Sequence, residues 1–176
     1  MSANKTLLKQ TLIYGIATVL PRVISFLLVG LHTDLMPKVA YGEITILLAY
    51  MIFFNVILSY GMETAFFRFY HKEENKNEVI STATVSIFWS TVLFLCITLL
   101  FQKTLAGLLN VDKEYVNYAI WILAFDALVI IPFSKLRAEQ KAIKYSVLKI
   151  SNVIINMLLN VFLLAILPKL AHANPQ

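Results

Sequence analysis

The chain has 176 residues, of which 59% are hydrophobic and only 14% charged, and its formal net charge is +5. Soluble domains carry about 25% charged residues, so a chain of mean hydropathy +0.75 is excluded as an ordinary soluble domain and requires lipid as its solvent. The basic residues fall in short stretches between apolar runs, which reads as membrane orientation rather than nucleic-acid binding, and the single cysteine, Cys96, excludes a disulfide framework or a cysteine metal cluster.

Met1 to Gln10 is polar and carries Lys5 and Lys9. The apolar stretch that follows is too long for a signal peptide and lacks a small-residue cleavage site, so it is expected to be the first span. A spanning helix needs about 20 mostly apolar residues, and five segments meet this: 11–35, 41–63, 79–101, 115–136 and 143–167. The connections are short, and Pro168 is expected to end the fifth helix, because proline continues one poorly. The fold class is therefore all-α, a polytopic transmembrane bundle of about five spans.

Orientation follows from lysine and arginine. The N-terminal tail, the second connection (Arg68, Lys72, Lys76) and the fourth (Lys135, Arg137, Lys141, Lys144, Lys149) fall on one side; the other has only Lys38, Lys103, Lys113 and Lys169. The positive-inside rule places the basic side, and the N-terminus, in the cytoplasm. Phe66, Phe67, Phe69 and Tyr70 around Arg68 are expected to anchor the inner interface, and 171–176 to form a short outer tail.

Residues three or four apart share a helix face, and each span carries polar residues at that spacing. The first has Thr11, Tyr14, Thr18, Arg22 and Ser25; the second Asn55, Ser59 and Glu63; the third Thr82, Ser86 and Ser90; the fifth Lys149, Asn152, Asn156 and Asn160. Such faces are expected to point inward, either as hydrogen-bonded contacts between helices or as the lining of a wet cavity. Arg22 and Asp126 lie deep in their spans, where a charge costs about 2.5–3.5 kcal/mol. Two readings stay open for them: an ion pair that locks two helices, or a polar translocation pathway. Glu63 is expected near the inner boundary, paired with Arg68. Pro21, beside Arg22, is a candidate kink.

Enzyme motifs are missing: there is no Gly-rich phosphate loop, no His-Glu-x-x-His and no Gly-x-Ser-x-Gly. His32, His71 and His172 read as scattered loop residues without ligand spacing. The expectation is a non-enzyme without cofactor or metal.

The stretches Tyr14-Gly15-Ile16 and Leu20-Pro21-Arg22-Val23, with Phe26 to Val29, resemble the first helix of bacterial polysaccharide-biosynthesis flippases. Tyr41-Gly42-Glu43-Ile44, the run Tyr60 to Phe69, Asp126-Ala127 with Ile131-Pro132-Phe133, and the asparagine ladder resemble them as well. This is the oligosaccharide flippase branch of the multidrug, oligosaccharidyl-lipid and polysaccharide exporter superfamily. The resemblance implies a two-lobe exporter that moves lipid-linked oligosaccharide from the inner to the outer leaflet of the bacterial inner membrane. It also implies contact with membrane lipids, and a proton or sodium gradient as the candidate driving force. By the same analogy Arg22 meets the lipid diphosphate and Asp126 acts as its polar partner, with Asn152, Asn156, Asn160 and Glu63 along the substrate pathway.

Two departures stand out. Family members often read Pro-Leu-Tyr-Thr-Arg at the end of the first helix, where this chain has Gly30-Leu31-His32-Thr33-Asp34, inverting the charge at the outer mouth. Five spans are also one short of a complete first lobe, so the expectation is an N-terminal fragment, a truncated product or one piece of a split protein. The competing functions are a multidrug or small-solute exporter and a non-transporting membrane scaffold.

Overall fold

The computed structural model describes residues 2–166; Pro168, Lys169 and the expected outer tail at 171–176 lie outside the described residues. Among these the secondary structure is helical, with no strand. The order is α1 (Ser2–Leu35), α2 (Lys38–Ser59), α3 (Met62–Lys72), α4 (Lys76–Leu100), α5 (Gln102–Leu109), α6 (Lys113–Ala138) and α7 (Ala142–Val161), which widens into a π-helical turn at Phe162–Ile166. Five stretches are long and apolar enough to span a membrane: Thr11–Leu35, Lys38–Lys72, Lys76–Leu100, Lys113–Ala138 and Ala142–Ile166. The chain is an all-helical, multi-pass membrane protein.

Local chemistry sets the helix ends. Tyr60 and Gly61 take φ of 31° and 71°, the left-handed region that glycine enters without a Cβ penalty. They separate α2 from α3, so the second span is not one continuous helix to residue 63, and Glu63 belongs to the first turn of α3. Asn75 caps α4, its side chain accepting from the Glu78 backbone N–H at 3.4 Å, which satisfies one orphan donor. Asn110, at φ 53°, ends α5. Pro21 and Pro132 both lie inside helices that continue on either side of them, so neither proline interrupts its span.

The chain divides into two compact units. In the first, α1 packs along α7. Ser146 donates to the Ile13 carbonyl at 3.4 Å, the Tyr14 and Tyr145 rings meet edge-on at 5.4 Å, and His32 bonds Asn160. Partners advance together along both helices, so α1 and α7 run parallel, as two spans crossing in the same direction must. Ala17 is fully buried, and its small side chain is suited to the close helix approach that membrane packing favours.

The second unit, Gly42–Gln140, is organised around α4 and α6. Ala83 and Ile87 pack with Ile131 and Ala138, whereas Leu95 and Leu99 join the cluster of Val116 and Ile120. The pair is therefore antiparallel, as consecutive spans joined by a short connection should be. The buried stripe on α6 includes Ala119, Ala124, Ala127, Ser134 and Ala138, and it faces Ala83, Thr91 and Thr98 on α4. Small residues let the two backbones approach, because lipid supplies no hydrophobic drive between helices. α2 joins through Met51, Phe54 and Leu58 against Leu123, Ala127 and Phe94. The other faces of this unit expose Trp89, Leu93 and Phe125, and the first unit exposes Phe26, Ile155 and Leu158, apolar surfaces that suit lipid and not water.

α3 lies against α4 and α6. Phe66 and Tyr70 are buried there and stack at 5.3 Å. The expected aromatic anchor is thus split: two of its rings serve the helix core, while Phe69 is about half exposed and Phe67 half-buried. Helical spacing explains the split, since 66 and 70 share one face and 69 lies on another.

Candidate functional site

In the first unit the polar stripe of α1 is partly structural. Tyr14 packs on Tyr145, and the Thr18 hydroxyl returns to the Tyr14 carbonyl at 2.8 Å. Arg22 and Ser25 are exposed, and among the described residues of its own unit Arg22 makes no hydrogen bond or ion pair. The stripe continues seven residues beyond Ser25, at His32. That histidine is inside α1 and not in a loop, and its Nε2 meets the Asn160 Oδ1 at 3.0 Å. Asn160 Nδ2 in turn donates to the Asn156 carbonyl and side-chain oxygens, both at 2.9 Å. Asn156 and Asn160 therefore act as a linked ladder, one rung of which binds the neighbouring helix. Asn152 is exposed, and Lys149 sits 5.3 Å from the Tyr145 ring centre.

The stripe assigned to the second span is divided by the Tyr60–Gly61 break. Asn55 points to α6 and donates to Asp126 Oδ2 at 3.5 Å, while Ser59 bonds only its own helix, at the Val56 carbonyl. Asp126 is otherwise exposed. Arg22 falls in the first unit and Asp126 in the second, so the partner that the second unit supplies to Asp126 is a neutral amide.

Glu63 pairs with Arg137, not with Arg68. Arg68 is five residues on, about 140° around the helix at 100° per residue, whereas Arg137 ends α6 beside the α3 start. The Arg137 guanidinium also covers the Phe67 ring at 5.1 Å, and Lys76 sits 5.3 Å from the Tyr70 ring centre. Basic groups from the second and fourth connections thus gather at one end of this unit, with Lys135–Glu139 at 3.8 Å beside them. His71, too, is helical, near the end of α3.

The Ser/Thr stripe of the third span faces elsewhere than the main helix contact. The α6-facing side of α4 is Ala83, Ile87, Thr91 and Thr98, one residue further round. Thr82 and Ser86 instead line a cavity of about 470 Å³ between α3 and α4, with Met62, Phe69, Glu73 and Glu78. Tyr60 reaches Ser86 Oγ at 2.9 Å.

No group of three or more His, Cys, Asp or Glu side chains able to hold a metal occurs among the described residues. Of the residues outside the expected pathway, His32 and Arg137 are the ones that sequence reading overlooked or misassigned. The continuation of the α1 stripe could have signalled the first; the second depends on which helix ends meet.

Neither curated proteins nor solved structures include a match to this chain. The sequence profile of one family, described as polysaccharide biosynthesis protein, matches residues 7–173. That match takes in all five candidate spans, the polar stripe of α1 and the asparagine ladder of α7, and the chain belongs to the polysaccharide biosynthesis protein family.

Proposed function

We propose that this protein is a carrier that moves lipid-linked oligosaccharide, a polysaccharide or O-antigen precursor, across the bacterial inner membrane, with no catalytic chemistry of its own. The observation that carries this reading is family membership over residues 7–173 in a chain with five candidate spans. A polysaccharide precursor on a lipid carrier is assembled on one side of a membrane and used on the other, and its charged, sugar-bearing head needs a polar path through the hydrocarbon. Arg22 is exposed at span depth without an ion pair in its unit, which suits an anionic diphosphate. Asp126, held by Asn55 in the second unit, and Asn152 with Asn156 in the first are the further polar groups this reading assigns to the sugar-bearing head. The N-terminus is cytoplasmic in this reading, in line with the clustering of Arg137 and Lys76 at one end of the second unit. A transmembrane proton or sodium gradient would drive turnover.

The test is flipping of a fluorescent undecaprenyl-diphosphate sugar in proteoliposomes. The protein should move the labelled lipid, and Arg22→Ala should abolish movement while the variant still inserts and folds. An inert protein with several such lipids would sink the reading and favour a small-solute exporter or a scaffold.

A further inference from the structure

The cavity between α3 and α4 grades from charged to apolar along its length. Its mouth is at the short connection between two candidate spans, where Glu73, Asn75 and Glu78 line it. Below them Thr82 and Ser86 continue the α4 wall, and Met62 and Phe69 belong to the opposite wall, on α3. The α4 steps from 75 to 78, 82 and 86 are three, four and four, so one helix face supplies the polar wall. Glu78 to Ser86 is eight residues, about 12 Å of helix. The polar layer of a bilayer is about 5–8 Å deep on each side, so the cavity begins at headgroup depth and ends among acyl chains.

The polar wall offers acids at the mouth and a neutral donor deeper down. Among the described residues the Glu73 carboxylate makes no hydrogen bond or ion pair. Glu78 Oε2 accepts from Asn75 Nδ2 at 3.3 Å, which holds that carboxylate in place and leaves its second oxygen to a ligand. No lysine or arginine lines the cavity, and the nearby Lys76 is held over the Tyr70 ring instead. Thr84 and Ser90 return their hydroxyls to carbonyls of their own helix, the usual recourse of such residues inside a helix. The Thr82 hydroxyl does not, and it has no hydrogen-bond partner among the described residues. Ser86 is met by Tyr60 at 2.9 Å. The volume of about 470 Å³ falls within the range of about 300–1,000 Å³ usual for small-ligand sites.

We propose that this cavity binds one glycerophospholipid whose head ends in a primary ammonium, taken from the leaflet on the side of the α3–α4 connection. The ammonium meets Glu73 and Glu78, an ester oxygen accepts from the Thr82 hydroxyl, and the upper part of one acyl chain lies along Met62 and Phe69. A primary ammonium carries three N–H donors, and donor and acceptor charges of opposite sign strengthen such bonds. A quaternary ammonium has no N–H to give, and a head of net negative charge meets two carboxylates of its own sign. The chemistry of the head, beyond apolar contact, therefore selects the occupant. None of Arg22, Asp126, Asn152, Asn156 and Asn160 lines this cavity, so the site is independent of the proposed transport path.

The experiment is photolabelling of the full chain in vesicles of phosphatidylethanolamine, phosphatidylcholine and phosphatidylglycerol in equal parts. One lipid at a time carries a diazirine on its upper acyl chain, and the labelled residues are read by mass spectrometry. Label from phosphatidylethanolamine at Met62, Phe69 and Val79, which all line the cavity, should exceed that from either other lipid by about fivefold, the upper end of what an exposed ion pair supplies. Glu73→Gln with Glu78→Gln should bring it down to the phosphatidylcholine level, with circular dichroism unchanged. Ala65→Trp, which fills the cavity from the α3 wall, should reduce labelling there by all three lipids. Equal labelling of the parent by the three lipids, a preference for phosphatidylglycerol, a preference that survives the double substitution, or no label at the cavity overturns the proposal. The readout does not involve flipping, so failure of the transport assay leaves this test intact.

Discussion

Arg137 at the end of α6 pairs with Glu63 in the first turn of α3, and its guanidinium lies over the Phe67 ring. Each partner also suits its own helix end: an acid near an N-terminus and a base near a C-terminus both complement the helix dipole. The pair is about half exposed, so the direct coupling is modest, about 0.2–1 kcal/mol. A double-mutant cycle of Glu63→Gln and Arg137→Gln, read by denaturation in mixed micelles, should recover a coupling in that range, weaker at high salt. Arg137→Lys should be measurably less stable than the parent, because a lysine keeps the charge but not the planar stack on Phe67. Equal stability of the lysine variant would show that the ring contact contributes nothing.

Gly61 and Gly107 separate backbone strain from steric room. A Cβ at either position meets nothing within 4 Å, but only Gly61 has a positive φ. Gly61→Ala should therefore destabilise by about 1–2 kcal/mol through the left-handed backbone alone. Gly107→Ala, inside α5, should stabilise by about 0.5–1 kcal/mol. Thermal unfolding of both variants in detergent checks the opposite signs; a neutral Gly61→Ala would mean that the break between α2 and α3 relaxes freely.

Phe66 and Phe69 are three residues apart on α3 yet differ in burial, at 1% and 46% exposed. Phe66→Ala removes a ring from the cluster of Ile87 and Ile131 and should cost about 3 kcal/mol, the low end of the range for core aromatics. Phe69→Ala should lie within about 0.5 kcal/mol of the parent, as exposed substitutions do. The comparison is made by unfolding in a denaturing detergent series, and similar losses for the two would contradict the packing of α3.

Asp126 sets insertion against function. A carboxylate at span depth costs about 2.5–3.5 kcal/mol, and the Asn55 contact returns only about 0.6 kcal/mol. Asp126→Leu should accordingly raise the membrane-insertion efficiency of α6 in a glycosylation-reporter assay. In the proposed carrier the same change should abolish flipping. A variant that inserts better and still flips would remove Asp126 from the pathway.

The number of spans was legible from the chain because lipid imposes a single demand, about 20 apolar residues per crossing, and that demand is local. The polar faces were legible only as faces. Their period says that residues 11, 14, 18, 22 and 25 lie together on α1, but period alone does not say what each one meets. Thr82 and Ser86 line a cavity while Ile87, one position round from Ser86, is buried against α6. The difference is about 100° of helix rotation, which is decided by neighbouring helices.

By itself the sequence determined what depends on composition and local spacing: an all-helical membrane chain, its spans, the basic bias of alternate connections and the family resemblance. Tertiary structure decided the partners. Glu63 chose Arg137 over Arg68, His32 proved to be a helix-bridging residue and not a loop residue, and α1 met α7 across 128 residues of sequence. Local rules reach only three or four residues along a helix, whereas a bond such as His32 to Asn160 exists only once two distant helices are packed in register.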